Sequence, residues 1–245
     1  MADIQIKNLS YQRAEFALNI DSLNIRSGEK VALMGENGCG KSTLINLMAG
    51  LNEANTESIF YQNERLEKIS HSKRAGLFSV LPQFSDISFP FSVFEVVLLG
   101  RFAKLTGVDF NQVDRENSLN LMKLLDLDHY AQRSFSDLSG GEKRRVMIAR
   151  VLNQEAPIIY LDEPNSSLDI RHTLQIFEHL TQLSHTVISS VHDVNLAYRY
   201  FDRFLFFKNG NLIFDVTRDE VTSPLLEEVY DVSVSIDTHS FSFCP

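Results

Sequence analysis

The sequence predicts an α/β fold with a parallel-sheet core, an N-terminal antiparallel β subdomain and an inserted helical subdomain. Three observations predict it. The run Lys30–Met34 is short and nearly continuously apolar, as a buried parallel strand is, and strands resume at Pro157–Leu161 and Thr186–Val191. The stretch from Ile4 to Ile25 alternates loosely between apolar and polar residues, with Phe16, Leu18 and Ile20 at strand period. From Phe91 to Leu152 the pattern is mostly helical, and Asn117–Leu125 has apolar residues at helix spacing. Strands and helices that alternate around a helical stretch indicate an α/β core with an insertion. The chain therefore reads as one domain over 1–245, with its helical subdomain at about 84–157.

Each element follows in order. Ile4–Ile25 gives short antiparallel strands, and Ser27-Gly28 a turn. The buried strand Lys30–Met34 runs into a glycine-rich loop, and Lys41–Ala49 is helical up to Gly50. Ser58–Tyr61 returns to the antiparallel sheet, and Leu77–Leu81 is another buried strand. The helical stretch follows, then the strands Pro157–Leu161 and Thr186–Val191. No internal repeat, low-complexity tract or flexible linker stands out.

Composition bounds the function. A length of 245 residues and a hydrophobic content of 44% allow a sizeable core. A net charge of −9 argues against gripping nucleic acid by its phosphates, so no nucleic-acid partner is expected. Two cysteines, Cys39 and Cys244, offer no disulfide framework and read as free thiols in a reducing cytosol. Met1–Ile6 lacks the basic start and apolar run of a signal peptide. No apolar stretch nears the ~20 residues that cross a bilayer; Val93–Leu99 and Phe204–Phe207 are far shorter. At a membrane, another chain would have to supply the span.

The chemistry begins at Gly35-Glu36-Asn37-Gly38-Cys39-Gly40-Lys41-Ser42, which fits G-x-x-x-x-G-K-[ST] at every fixed position. Its glycines let the backbone approach phosphates and turn successive N–H groups inward. Gly35, Asn37, Gly38, Cys39, Gly40, Lys41, Ser42 and Thr43 are the nucleotide contacts expected here: Lys41 is placed to reach the terminal phosphates, Ser42 offers a hydroxyl to Mg²⁺, and the helix they open turns its positive end to the anion. A full match arises by accident in about one chain in a hundred of this size, and the strand–loop–helix context lowers those odds. This context predicts the core of a phosphate-loop NTPase.

Asp162-Glu163 ends an apolar strand in two carboxylates. At that tip Asp162 can orient a hydrated Mg²⁺ and Glu163 can polarise an attacking water as general base; a strand ending in solvated acids is equally common by itself. His192 follows the last strand and is placed to contact a γ-phosphate, although a lone histidine there is more often structural. Gln83, after Val80-Leu81-Pro82, is placed to report on Mg²⁺ or water, and alone says little. Tyr11 offers a face for adenine stacking, with a buried or edge tyrosine nearly as plausible. Leu138-Ser139-Gly140-Gly141-Glu142 reads as a helix start, with Ser139 the cap and Glu142 completing a capping box.

Taken together, these residues resemble the ATP-binding cassette (ABC) ATPase family over essentially the whole chain. The order matches: Tyr11, Gly35–Ser42, Gln83, Leu138–Glu142, Asp162-Glu163, Ser166–Asp169, His192. The resemblance implies ATP and Mg²⁺ as ligands and a homodimer closing head to tail. Ser139, Gly140 and Gly141 of one copy would then seal ATP on the other copy's loop, and Asp169 would belong to the loop joining the two sites. Family members often show glutamine near Arg144 and threonine at Asn165. The run Lys143-Arg144-Arg145 reads as a solvated helix face with a functional tip.

Three stretches resemble the importer branch that serves iron–siderophore, haem and cobalamin: Phe91–Arg101, His192–Ala197 with Arg199-Tyr200, and Glu228–Tyr230. The resemblance implies the ATPase subunit of such an importer, peripheral on the cytoplasmic face of the inner (cell) membrane. A permease would dock near Gln83–Arg101, where Phe84, Phe89, Phe91 and Phe94 suit an apolar groove, although at least half of these are expected to pack the helical subdomain. An external substrate-binding protein would take part indirectly. The alternative is a soluble ABC ATPase without a permease, in DNA maintenance or on the ribosome. The heptad coiled coil of the first kind and the second cassette usual in the other are not seen. A phosphate-loop kinase or GTPase would have no use for Leu138–Glu142.

Overall fold

The structure is a computed structural model, and it describes residues 3–52, 56–83, 89–105, 107–237 and 240–244. Strands β1 (Ile4–Arg13) and β2 (Phe16–Ile25) form a hairpin, and β3 (Lys30–Gly35) leads through the glycine loop into α1 (Lys41–Met48). Short strands β4 (Ile59–Tyr61) and β5 (Glu64–Arg65) precede α2 (His71–Leu77) and β6 (Phe78–Leu81). Helices α3 (Val93–Leu98), α4 (Gln112–Leu124) and α5 (Gly140–Asn153) come next. Then β7 (Ile158–Asp162), α6 (Ile170–Gln182), β8 (Thr186–Ser190) and α7 (Val194–Tyr200) alternate. The chain ends in β9 (Arg203–Lys208), β10 (Asn211–Thr217), α8 (Ser223–Tyr230), β11 (Ser233–Asp237) and β12 (Ser240–Cys244).

Ten strands make one sheet in the order β5-β4-β1-β2-β10-β9-β3-β8-β7-β6. Strands β9, β3, β8, β7 and β6 are mutually parallel, while β5, β4, β1 and β2 are antiparallel. The antiparallel region expected as a subdomain is therefore continuous with the parallel core. The join is narrow, since β2 meets β10 at the single pair Asn19↔Asn211.

Period-2 alternation sends the central strands into two cores. Val31 and Leu33 of β3, with Ile158 and Tyr160 of β7, face α1 and the hairpin; Ala32, Met34, Ile159 and Leu161 face the other way. That second core also takes Val93, Val96, Met122, Leu138 and Val146 from the helical insertion, so α3–α5 pack directly onto a sheet face. Capping boxes start these helices: Ser92 with Glu95, Asn111 with Asp114, Ser139 with Glu142. Phe84 lies outside the described residues. Phe91 and Phe94 pack partly into the core, while Phe89 is exposed. Among the described residues no helix is long and apolar enough to cross a membrane.

The C-terminal hairpin β11–β12 forms a second, two-stranded sheet that the sequence reading did not anticipate. Asn195 ties it to α7. Its amide donates to the Phe241 carbonyl (3.0 Å), and its carbonyl accepts from the Phe241 N–H (2.7 Å).

Candidate functional site

The parallel strands β3, β6, β7 and β8 share one direction, so their carboxy ends fall on one edge of the sheet. The segments that leave those ends carry the glycine loop, Gln83, Glu163 and His192. Parallel α/β sheets place ligands at this edge. A cavity of about 570 Å³ lies there, lined by Asn37, Gly38, Gly40, Lys41, Ser42 and Thr43 of the loop, together with Gln83, Glu163, His192 and Phe16. A larger cavity of about 920 Å³ opens beside α6 and α7, with Leu168, Leu174, Tyr198 and Phe241 on its walls. It holds none of the loop residues; chemistry, rather than size, singles out the smaller one.

Gly40 caps α1 at φ +115°, a left-handed conformation suited to glycine, and a Cβ there would come within 3.0 Å of Leu18 and Phe16. The buried Lys41 ammonium donates to the Gly35 carbonyl (2.7 Å) and the Glu36 carbonyl (2.9 Å). The Cys39 thiol, 3.8 Å from that ammonium, faces the core, and burial pushes its pKa up. Gly35 closes β3 opposite Phe207. Both were expected as nucleotide contacts, yet neither lines the cavity.

Asp162 is buried beneath the loop. Its Oδ1 accepts from the hydroxyls of Ser42 (3.0 Å) and Ser190 (2.6 Å). Glu163 sits at φ +50°, a strained backbone for glutamate, and its N–H donates to the Ser190 hydroxyl at 2.8 Å. Glu163 Oε1 accepts from Gln83 Nε2 at 3.0 Å. His192 Nε2 lies 2.9 Å from the same oxygen and donates to it when that nitrogen carries the proton. The glycine loop, Gln83, Asp162, Glu163 and His192 are thus brought together.

Other expected residues lie apart. Tyr11 is only 8% exposed and belongs to the core between the hairpin and α1. The inward phase of β1 runs Ile4, Ile6, then shifts past Asn8 (φ +51°) to Leu9 and Tyr11, which turns the ring inward. The aromatic side chain at the cavity is Phe16, at the start of β2. Ser139 caps α5, with Oγ accepting from the Glu142 N–H at 3.4 Å, while Glu142 Oε2 takes the Ser139 N–H at 2.7 Å. The Tyr130 hydroxyl, followed by the Ser139 hydroxyl and amide, holds the Glu142 carboxyl down at about 2. Gly140 lines a separate groove with Gln83, Glu163, Ser166 and Ser167. Gly141 packs so closely that a Cβ would meet the Ser167 carbonyl at 2.7 Å. Asp169 is exposed and caps α6, accepting from the His172 N–H at 2.9 Å.

The run Lys143-Arg144-Arg145 is not a solvated face. Arg144 is 7% and Arg145 8% exposed. Helix α5 is enclosed by its neighbours, and the guanidinium ends bond backbone carbonyls: Arg145 Nη1 those of Leu125 (2.7 Å) and Asp126 (3.0 Å), and both Nη atoms of Arg144 those at the ends of two strands, while the buried Arg144 Nε has no partner among the described residues. Sequence reasoning also passed over Ser190 and Phe16. The signal for Ser190 was available, because a hydroxyl closing an apolar strand needs a partner.

The sequence profile of the family described as "ABC transporter" matches residues 18–166. A hemin import ATP-binding protein of Aliivibrio fischeri is 36% identical over 245 residues, covering 96% of this chain and 93% of its own. Among solved structures, an inward-facing ABC transporter assigned to the metal-chelate type superposes with a TM-score of 0.79 at 28% identity, covering 99% of this chain and 96% of that one. A dimeric ATP-binding cassette in a post-hydrolysis state with ADP and phosphate gives 0.76 at 26% identity, covering 89% and 99%.

Proposed function

The chain belongs to the ABC transporter family, and on that footing we propose that it powers uptake of a metal chelate, of the haem or siderophore kind, through a separate membrane permease. It is the ATP-hydrolysing subunit of an importer. The observation that carries the assembled reading is how the motif residues divide. Lys41, Ser42, Gln83, Glu163 and His192 meet in one cavity, while Ser139, Gly140, Gly141 and Asp169 lie outside its lining. A second copy supplying its Ser139 helix start would complete the site, since a helix N-terminus offers free N–H groups to a phosphate.

Within the site we assign Lys41 and the loop N–H groups to the phosphates. Lys41 would exchange the Gly35 and Glu36 carbonyls for phosphate oxygens. Glu163 is the general base for water, aimed by Gln83 and His192, whose hydrogen bonds to Oε1 fix the carboxylate. His192 would also register the γ-phosphate. Ser42, Gln83 and Asp162 are assigned to Mg²⁺: hydroxyl, amide and carboxylate oxygens are the donors this ion takes, and Asp162 already holds Ser42 beside it at 3.0 Å. Among the described residues no group of three His, Cys, Asp or Glu could hold a metal, so phosphate oxygens would complete the set. The ion would neutralise phosphate charge.

Residues 84–157 form the helical subdomain in this reading, with the permease meeting the Gln83–Arg101 surface. An external binding protein delivers the chelate, and the subunit is peripheral on the cytoplasmic face of the inner (cell) membrane. The haem-class cargo rests on the Aliivibrio fischeri relative and on the metal-chelate-type structural neighbour. The test is co-purification with a multi-span membrane protein, followed by ATP-dependent uptake of haem or a ferric siderophore into proteoliposomes. Recovery with ribosomes or DNA instead would overturn it.

A further inference from the structure

Arg144 reaches from the first turns of α5 across the ends of two neighbouring parallel strands. Its Nη1 donates to the carbonyls of Pro82 (2.9 Å) and Gln83 (3.3 Å), just past β6. Its Nη2 donates to the carbonyl of Glu163 at 2.7 Å and, more closely, to that of Asp162, at the end of β7. Strand ends that leave a sheet have carbonyls the ladder no longer satisfies. Here one buried guanidinium serves four of them, and they belong to the residues flanking or carrying the two side chains that meet at Glu163 Oε1.

We propose that Arg144 is a positioning residue that ties Gln83 and the strained backbone of Glu163 to the helix that begins at Ser139, so that the three are aligned as one unit. This rests on the ATPase reading of the site. Glu163 needs such a tie. At φ +50° a glutamate holds its conformation only if its surroundings over-determine it. Ser190 fixes its N–H and Arg144 fixes its carbonyl, so the peptides on both sides of its Cα are held. Gln83 is held in the same way through its own carbonyl, so the 3.0 Å bond between its amide and Glu163 joins two groups anchored to one guanidinium.

The residue type matters. Arginine spreads its donors over a rigid planar fork and keeps its charge, which suits four carbonyls on two strands. Burial lowers its pKa, and the nearby carboxylates of Asp162 and then Glu163 oppose that effect. Glutamine offers one amide with two N–H donors and can serve only part of the set. Lysine offers three donors from one point and would restore charge without the fork. The groove of about 300 Å³ that Arg144 lines with Gly140, Lys143, Gln83, Glu163 and Ser166 places this tie between the helix start and the carboxylate.

The test compares R144Q and R144K with the wild-type full chain. ATP hydrolysis is measured over a range of MgATP concentrations, binding of a fluorescent ATP analogue is measured separately, and the thermal midpoint is recorded for each protein. In R144Q, nucleotide affinity and KM stay within about twofold, because the phosphate loop is untouched, and kcat falls about 10- to 100-fold, as for a group misplaced by about 1 Å. In R144K, kcat recovers part of that loss. Equal kcat in R144Q and wild type overturns the proposal, as does a fall in activity that only follows lost thermal stability or lost nucleotide binding. If R144Q does not fold, R144K decides alone: a selective kcat deficit in a folded protein upholds the tie, and wild-type kcat refutes it. A wild-type chain with no MgATP hydrolysis would remove the ATPase reading first, and the proposal with it.

Discussion

Tyr160 donates its hydroxyl proton to the hydroxyl of Tyr61 across 2.5 Å, and Tyr61 passes its own to the Met48 carbonyl at 2.6 Å. Met48 ends α1 and Tyr160 lies on β7, so the pair ties the far end of the phosphate-loop helix to the strand that ends in Asp162. At the near end Ser42 bonds Asp162 at 3.0 Å. Helix and strand are thus pinned at both ends. Burial raises the pKa of both tyrosines, which keeps them neutral donors.

The two deletions should differ. Tyr160→Phe removes a donor but leaves Tyr61 bonded to Met48, at a cost of about 1 kcal/mol. Tyr61→Phe leaves the Met48 carbonyl and the Tyr160 hydroxyl both buried without this partner, costing about 1–3 kcal/mol. Urea unfolding of the two variants measures this. A larger loss for Tyr160→Phe would mean that the chain of donors does not run as described.

Acid should loosen the start of α5. Glu142 has its carboxyl held at about 2, below the usual carboxylate value, by the Tyr130 hydroxyl and then by Ser139. The folded-state value is depressed, so this contribution is complete above the unfolded-state value of about 4.3 and fades as pH falls toward 2. Tyr130→Phe should move the Glu142 titration upward in a carboxyl-resolved NMR experiment. A titration left near 2 in that variant would show that Ser139 alone suffices.

Glu163→Gln should retain ATP and lose turnover by about 10²- to 10⁴-fold, the range for a lost general base, while the ATP-bound dimer accumulates. Steady-state hydrolysis and size-exclusion chromatography with ATP give both readouts. Ser139→Arg should block hydrolysis yet leave nucleotide binding by the single subunit intact; it also costs about 1 kcal/mol as a lost cap. Unchanged hydrolysis in Ser139→Arg would count against a site shared between copies.

Much of this arrangement was legible because its signals are local. The loop at Gly35–Ser42, the acids after Ile158–Leu161 and the capping box at Ser139 and Glu142 are all short-range patterns, and the structure folds each stretch as read. What escaped depends on partners distant in sequence. Arg144 follows a helix start and resembles a surface charge; only the packing of α5 against the ends of β6 and β7 turns it inward. The hairpin Ser233–Cys244 was legible, since Val234 and Ile236, then Phe241 and Phe243, alternate with serines at strand period. It was missed for want of a core to place it on, which Asn195 and Phe241 supply.

Tyr11 and Phe16 show how one irregular residue can redirect an assignment. Counting alternate positions from Ile4 would put Tyr11 on the outward face of β1, where it could meet a base. The phase shift past Asn8 turns it into the core instead, and the hairpin brings Phe16 to the cavity beside Gly40 and Lys41. If the adenine ring stacks on an aromatic here, the ring is that of Phe16. Such contacts are worth about 0.5–1.5 kcal/mol, so Phe16→Ala should weaken ATP binding about 2- to 13-fold. Phe16→Tyr should retain it, because the stacking face is kept. Tyr11→Phe should leave nucleotide affinity unchanged, since its ring does not line the cavity. Titration with a fluorescent ATP analogue tests all three, and a loss of affinity in Tyr11→Phe without one in Phe16→Ala would restore Tyr11 as the nucleotide contact.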